Sequence, residues 1–172
     1  MFLKIIKNFL LKNKVSKLLS NSPVNHSADI IQSVGLIFDG NLNIELENVL
    51  KELVEHGIDE NQIKVLIFKN KINKNEVFKH ELVTYKEFNL SGELTHSKAE
   101  LFLNTNFDLL INYHEFDKSP LVYLSYLSKA NFKVGFNTQD KTVNKFMVNT
   151  NINNYQLFVE ELFKYLKILN KI

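Results

Sequence analysis

The stretch that most constrains the fold is residues 107–136, FDLLINYHEFDKSPLVYLSYLSKANFKVGF. It predicts a strand at 107–113, which is apolar and rich in β-branched and aromatic residues, and a second strand at 132–136, where apolar side chains alternate. Between them, Ser119 and Pro120 predict the N-cap and the first position of a helix, where the N–H that proline lacks is not needed. Two strands joined by a crossover helix form a parallel βαβ unit.

The rest of the chain repeats this alternation. Residues 31–38 and 63–68 predict buried strands, joined by a helix that ends at Gly57, the expected left-handed C-cap. The later pattern predicts, in order, a polar loop at 69–80, a strand at 82–88, a short helix opened by a Ser97–Glu100 capping box, an edge strand at 145–148 and a C-terminal helix at 155–169.

This succession predicts one α/β domain over residues 31–172. We expect a three-layer, Rossmann-like, doubly wound sheet of five or six mostly parallel strands, in the order 3-2-1-4-5 with the sixth outside. A polar segment at 21–30 predicts a linker that separates this domain from residues 1–20.

The N-terminal segment predicts an additional basic, amphipathic helix. Residues 1–20 carry five lysines and no acid, whereas the remaining residues carry 16 lysines against 19 acids. In its first half, Phe2, Ile5, Ile6 and Phe9 share one side of the helix, and in its second half the apolar side is nearly the reverse.

Two arrangements of this helix follow from the pattern. In the first, the second half packs on its own domain while the apolar residues of the first half face a membrane surface or a protein partner. In the alternative, the helix breaks near Leu11 and both halves cover the core.

Composition excludes several classes of function. There is no cysteine, so disulfides, thiolate nucleophiles and Cys-ligated metals are excluded. All basic residues are lysine, and without the bidentate guanidinium of arginine we expect no nucleic-acid partner. No apolar run is long enough to span a membrane as a helix. We expect a cytoplasmic location, with peripheral attachment to the inner membrane if the N-terminal helix binds lipid.

Polar residues gather where the predicted strands end, which is where doubly wound sheets bind ligands. The most chemically dense segment follows Tyr113 and contains His114, Glu115 and Asp117. A histidine beside carboxylates is typical of a general base, so these three are the candidate catalytic residues. The alternative is a solvated turn whose acids lie near the N-terminus of the next helix.

A second group of candidates would bind a ligand. Asp39, Gly40 and Asn41 follow the first strand, where backbone N–H groups at a helix start could hold an anion, and Asn137 follows the strand that ends at residue 136. The alternative is a tight turn. The G-x-G-x-x-G, Walker, H-E-x-x-H and G-x-S-x-G patterns are absent, so we expect no cofactor and no metal.

The chain also resembles a known family. The segments SVGLIFDG, FNLSGEL, FDLLINY and SKANFKVGF resemble a family of small uncharacterised proteins of Bacteroidetes-type bacteria, which implies a fold but no activity. Residues 34–53 and 108–136 are similar to the N-terminal Rossmann-like half of heptosyltransferase-type glycosyltransferases. That second resemblance implies half of a two-domain enzyme, without the domain that binds the nucleotide-sugar donor.

Together these observations favour a non-catalytic binding or scaffolding domain that contacts a partner or a membrane through its N-terminal helix. The alternative is a small enzyme, or half of one, that acts on a sugar or a phosphate-containing metabolite at the ends of the strands.

Overall fold

The computed structural model describes residues 2–19, 30–72, 76–115, 119–138 and 142–172. Within these ranges the chain forms six β-strands and five α-helices. In order, these are α1 (Phe2–Leu19), β1 (Val34–Asp39), α2 (Leu46–Glu55), β2 (Ile63–Phe68), β3 (Glu81–Val83), α3 (Ser97–Asn104), β4 (Leu109–Tyr113), α4 (Ser119–Leu127), β5 (Phe132–Phe136), β6 (Phe146–Val148) and α5 (Tyr155–Ile168). The predicted linker at 21–30 lies outside the described residues except for its last residue.

The six strands form one parallel sheet in the order β3-β2-β1-β4-β5-β6. This confirms the predicted doubly wound arrangement, including a sixth strand at the edge. The central strands β1 and β4 are buried along their whole length because helices cover both faces of the sheet. The strand order reverses between β1 and β4, which makes the ends of these two strands the switch point of the fold.

The helices divide between the two faces of the sheet. One face carries α2 and α5, which pack on alternate residues of the strands such as Leu36, Phe38 and Tyr113. The other face carries α3 and α4, which pack on the intervening residues such as Ile37 and Leu110. The alternation of side chains along each strand therefore separates two apolar cores.

Helix α4 is buried on every side along most of its length, from Ser119 to Ser125. The sheet covers one side of α4, and α1 packs along it from outside. A helix that is apolar all round needs such double cover, which explains why the chain carries an additional helix. Helix α1 is continuous from Phe2 to Leu19, so the alternative with a break near Leu11 is wrong.

The third strand is shorter than predicted. The pattern predicted a strand at 82–88, but β3 ends at Val83 because the next residues form a 3₁₀ turn over Tyr85–Glu87. A capping box closes this turn: the Thr84 hydroxyl oxygen accepts from the Lys86 N–H at 3.1 Å, and the Glu87 carboxylate accepts from the Thr84 N–H at 2.7 Å.

The predicted capping box at Ser97–Glu100 is wrong. Helix α3 begins at Ser97, and its N-cap is His96, whose ring Nδ1 accepts from the Ala99 N–H at 3.1 Å. A histidine ring nitrogen thus accepts the capping hydrogen bond that the sequence predicted for a serine hydroxyl oxygen. The described part of α4 begins with Ser119, which therefore has helical conformation and is not the N-cap that the sequence predicted.

Candidate functional site

The switch point brings two of the predicted site residues together. Phe38 of β1 is paired with Tyr113 of β4. Asp39, the last residue of β1, and His114, which follows β4, therefore lie at the same rim and on the same face of the sheet. Both side chains are fully packed, with Asp39 0% and His114 2% exposed. The parallel strands therefore do gather an acid and a histidine, but beneath the surface.

His114 is held from both ring nitrogens. Its Nδ1 lies 2.9 Å from the Glu115 carbonyl oxygen, and its Nε2 lies 2.9 Å from the hydroxyl oxygen of Ser125 on α4. The Ser125 hydroxyl also lies 2.8 Å from the Leu121 carbonyl oxygen, and its one hydrogen can be donated either to this carbonyl or to His114 Nε2. The separation of Ser125 Oγ and His114 Nε2 is typical of a nucleophile and its base. Both side chains are buried, however, so this contact joins the end of β4 to α4 inside the protein.

Ser125 is the residue that sequence reasoning missed. Its signal was a small hydroxyl side chain in the middle of an otherwise apolar helix, where a hydroxyl commonly bonds the carbonyl four residues earlier. A second missed group is Asn112, whose side-chain amide donates to the Asn144 side-chain oxygen at 2.7 Å. Both asparagines are buried, and Asn112 lies on the same face of β4 as His114.

The segment after β1 is a closed turn. The Asp39 carboxylate accepts from the Asn41 backbone N–H at 3.0 Å and from its side-chain amide at 2.6 Å. The Gly40 N–H donates to the Phe68 carbonyl at 2.9 Å, and the Asn41 side-chain oxygen accepts from the Asn70 N–H at 2.9 Å. These bonds tie the end of β1 to the end of β2. Because α2 begins only at residue 46, the turn is not the helix start that the predicted anion site required.

The remaining candidates are Asn137, Glu115 and Asp117. The Asn137 side-chain amide donates to the side-chain oxygen of Asn149 at 2.6 Å, and the Asn137 N–H donates to the Val148 carbonyl at 3.0 Å, so it links β5 to β6. Glu115 is exposed to solvent. Asp117 lies outside the described residues. Ligand binding by any of these residues stays a prediction.

Tyr85 connects the rim to α1. Its ring packs edge-on against Phe68 at 5.3 Å between centroids, and burial, followed by the charge of Asp39, raises the pKa of its phenol. The ammonium of Lys4 lies 5.0 Å above the Tyr85 ring, and the ammonium of Lys7 donates to the Tyr85 carbonyl at 2.9 Å. The end of the sheet is thus covered by the first turns of α1.

Helix α1 packs on the domain with its basic side. Besides Lys4 and Lys7, Lys14 packs with its ammonium 5.6 Å from the centre of the Tyr123 ring of α4. Leu11 and Val15 are buried between these lysines. The aliphatic parts of these lysine side chains add to the apolar contact, while their ammonium groups lie over aromatic rings or donate to carbonyl oxygens.

The opposite side of α1 faces solvent and is apolar in its first turns. Ile5 is 59% and Phe9 is 63% exposed, whereas Leu11 is 0% exposed. Ile6 is half-buried, and the side chain of Phe2 lies outside the described part of the structure. In its first half α1 therefore turns apolar side chains outward, whereas in its second half Leu11 and Val15 face inward, as is usual for a surface helix.

The described ranges show neither a metal-binding cluster nor a helix that could span a membrane. Among the residues that the structure describes, no group of three or more histidine and acidic side chains is arranged to hold a metal ion. Of the helices in those ranges, none combines the length and the apolar character that crossing a bilayer requires.

Comparison with known proteins gives one match. A family model covers residues 7–169, which is almost the whole chain. No curated protein and no solved structure shows significant similarity to this chain.

Proposed function

The chain belongs to DUF6913, a family of unknown function. We propose that it is a non-catalytic binding protein that attaches to an anionic membrane surface through α1. The observation that carries this proposal is the exposure of Ile5 and Phe9 on a helix whose basic side is already packed on the domain. Exposed aromatic and aliphatic residues on the outer side of a helix are typical of contact surfaces.

Among the described lysines of α1, Lys12 presents charge to a lipid surface and favours lipid over a protein partner, because Lys4, Lys7 and Lys14 pack on the domain. Residues 1–20 carry five lysines and no acid, while the rest of the chain is net acidic. Lys12 lies on the exposed side of α1, next to Ile5 on the helical wheel. An anionic bilayer attracts nearby lysines with about 1 kcal/mol each, and full burial of an aliphatic or aromatic side chain adds roughly 1.5–3 kcal/mol. Two such side chains support a weak, reversible attachment.

The buried rim supports the non-catalytic part of the proposal. Asp39 and His114 make internal hydrogen bonds and are not exposed, and the turn after β1 uses its N–H groups inside the protein. A cytoplasmic protein held at the inner membrane by α1 is consistent with this arrangement.

Co-sedimentation with vesicles tests the proposal. We expect the full chain to pellet with vesicles of phosphatidylglycerol and phosphatidylcholine, and much less with phosphatidylcholine alone. The Ile5→Ser, Phe9→Ser double variant should lose this binding, whereas Val54→Ser, which alters a 40% exposed residue on α2, should keep it. A chain that stays in solution with the anionic vesicles would refute membrane attachment and favour a protein partner.

A second candidate function rests on the adjacency of Asp39 and His114 at the switch point. With the glycosyltransferase-like ancestry that the sequence suggests, these residues would belong to a small enzyme, or half of one, acting on a sugar or phosphate-containing metabolite. A thermal-shift screen of sugar nucleotides and sugar phosphates tests this function. Stabilisation that is lost in both Asp39→Asn and His114→Gln would favour the enzyme over the binding protein.

A further inference from the structure

The sheet has an open edge at β6. Strand β6 is the last of the six and pairs only with β5 among the described strands, so its outer N–H and C=O groups face away from the sheet. A groove of about 320 Å³ runs between β6 and α5. Unpaired edges of this kind are templates for pairing with another chain.

An apolar stripe on α5 borders this groove. Leu157, Tyr165 and Ile168 are 37%, 41% and 65% exposed and follow one another at helical spacing along the same side. Tyr165 also packs on Phe146, the first residue of β6, at 4.5 Å between ring centroids. Because the start of the strand meets the second half of the helix, β6 and α5 run in opposite directions.

The stripe is complementary to itself. Two charged residues interrupt it, Glu161 and Lys164, which form an ion pair with each other at 3.2 Å within the helix. Leu157 and Ile168 lie outside them. Both pairs are centred on the same point of the helix, between residues 162 and 163. If a second α5 lies antiparallel against the first, each Glu161 faces the other chain's Lys164, and each Leu157 faces the other chain's Ile168. A surface in which residue i meets j and j meets i is the requirement for a twofold dimer.

The edge strand obeys the same symmetry. Met147 is the middle residue of β6 and lines the groove together with Glu161 and Tyr165, level with the centre of the stripe. One twofold axis can therefore pass beside Met147 and the centre of α5. Two β6 strands related by this axis are antiparallel, and their pairing continues the sheet from one subunit into the next.

We propose that the β6 edge and the outer side of α5 bind a second copy of this chain in a twofold dimer. The interface combines strand pairing at the edge, the apolar contacts of Leu157 and Ile168, and two symmetric ion pairs between Glu161 and Lys164. It lies on the opposite face of the sheet from α1 and is independent of the membrane proposal.

Sedimentation velocity of the full chain across a wide concentration range tests the dimer. We expect a concentration-dependent dimer of the unaltered chain. Glu161→Lys and Lys164→Glu should each weaken dimerisation by about tenfold or more, because each change places like charges together twice across the axis. Lys51→Glu and Glu55→Lys, in an exposed ion pair on α2, are matched controls that should not change dimerisation.

Mixing the two single variants gives the decisive result. A chain with Glu161→Lys and a chain with Lys164→Glu restore both ion pairs when they meet, so the mixture should form heterodimers more strongly than either variant forms homodimers. Loss of folding cannot produce this rescue. A monomer at all concentrations would overturn the proposal, and so would a dimer that ignores the α5 charge changes or that is not recovered on mixing.

Discussion

The packing of α1 predicts very different costs for shortening two neighbouring apolar residues of one helix. Leu11 is completely buried between α4 and the loop that carries Gly92, whereas Phe9 is 63% exposed. Leu11→Ala removes a buried side chain and leaves a cavity, which costs about 2–5 kcal/mol of unfolding free energy. Near the outer layer the neighbours relax partly, so we expect about 3 kcal/mol, equivalent to a fall in Tm of about 6–12 °C for a chain of this length. Phe9→Ala should change the unfolding free energy by about 0.5 kcal/mol or less.

Urea unfolding followed by far-ultraviolet circular dichroism measures both values. The two variants are matched in position, since they lie two residues apart in the same helix. If Phe9→Ala destabilised the protein more than Leu11→Ala, α1 would be packed with its other side inward. The membrane proposal would then lose the exposed surface on which it depends.

Three further predictions concern the packed interior. Burial, followed by the charge of Lys145, lowers the pKa of Lys133 from 10.5 to about 8. Between these pH values the unfolded chain therefore binds more protons than the folded one. As pH rises through this window, the unaltered protein should gain stability relative to Lys133→Met. Urea midpoints at both ends of the window check this, and the exposed Lys64→Met should show no such trend. Gly35→Ala should cost about 1–3 kcal/mol, measured by urea unfolding, because the added methyl group would lie 2.7 Å from the Phe107 ring. Ser125→Ala should cost about 1–3 kcal/mol in the same assay, because it removes the buried hydroxyl that lies 2.9 Å from His114 Nε2; a neutral effect would show that this bond does not matter.

The sheet was predictable because its signals are local. Runs such as residues 63–68 are apolar throughout, which is typical of strands covered on both faces, and β2 has these bounds. Gly57 was predicted as a left-handed cap and has φ of 104°. Errors came where a side chain competed with the pattern: Thr84 and Glu87 end β3 early, and His96 replaces Ser97 as the cap of α3.

The candidate site was predictable only in its position. Parallel strands bring Asp39 and His114 to one rim, and the sequence indicates this because their strands can be located. Their burial, and the serine that contacts His114, depend on how α4 packs over β4. Ser125 is eleven residues from His114, and no spacing rule for a helix or a strand joins them.

The succession of apolar runs and amphipathic segments was sufficient to determine a doubly wound parallel sheet, because each element buries a side that its own periodicity defines. The orientation of α1 was decided by tertiary structure alone. Lys7 donates to a carbonyl oxygen and Lys14 lies over an aromatic ring, both in distant segments, and Leu11 fills the space between them. Lysine stems can be buried when their ammonium groups have such partners. Partners more than seventy residues away along the chain therefore determine which side of this helix remains exposed.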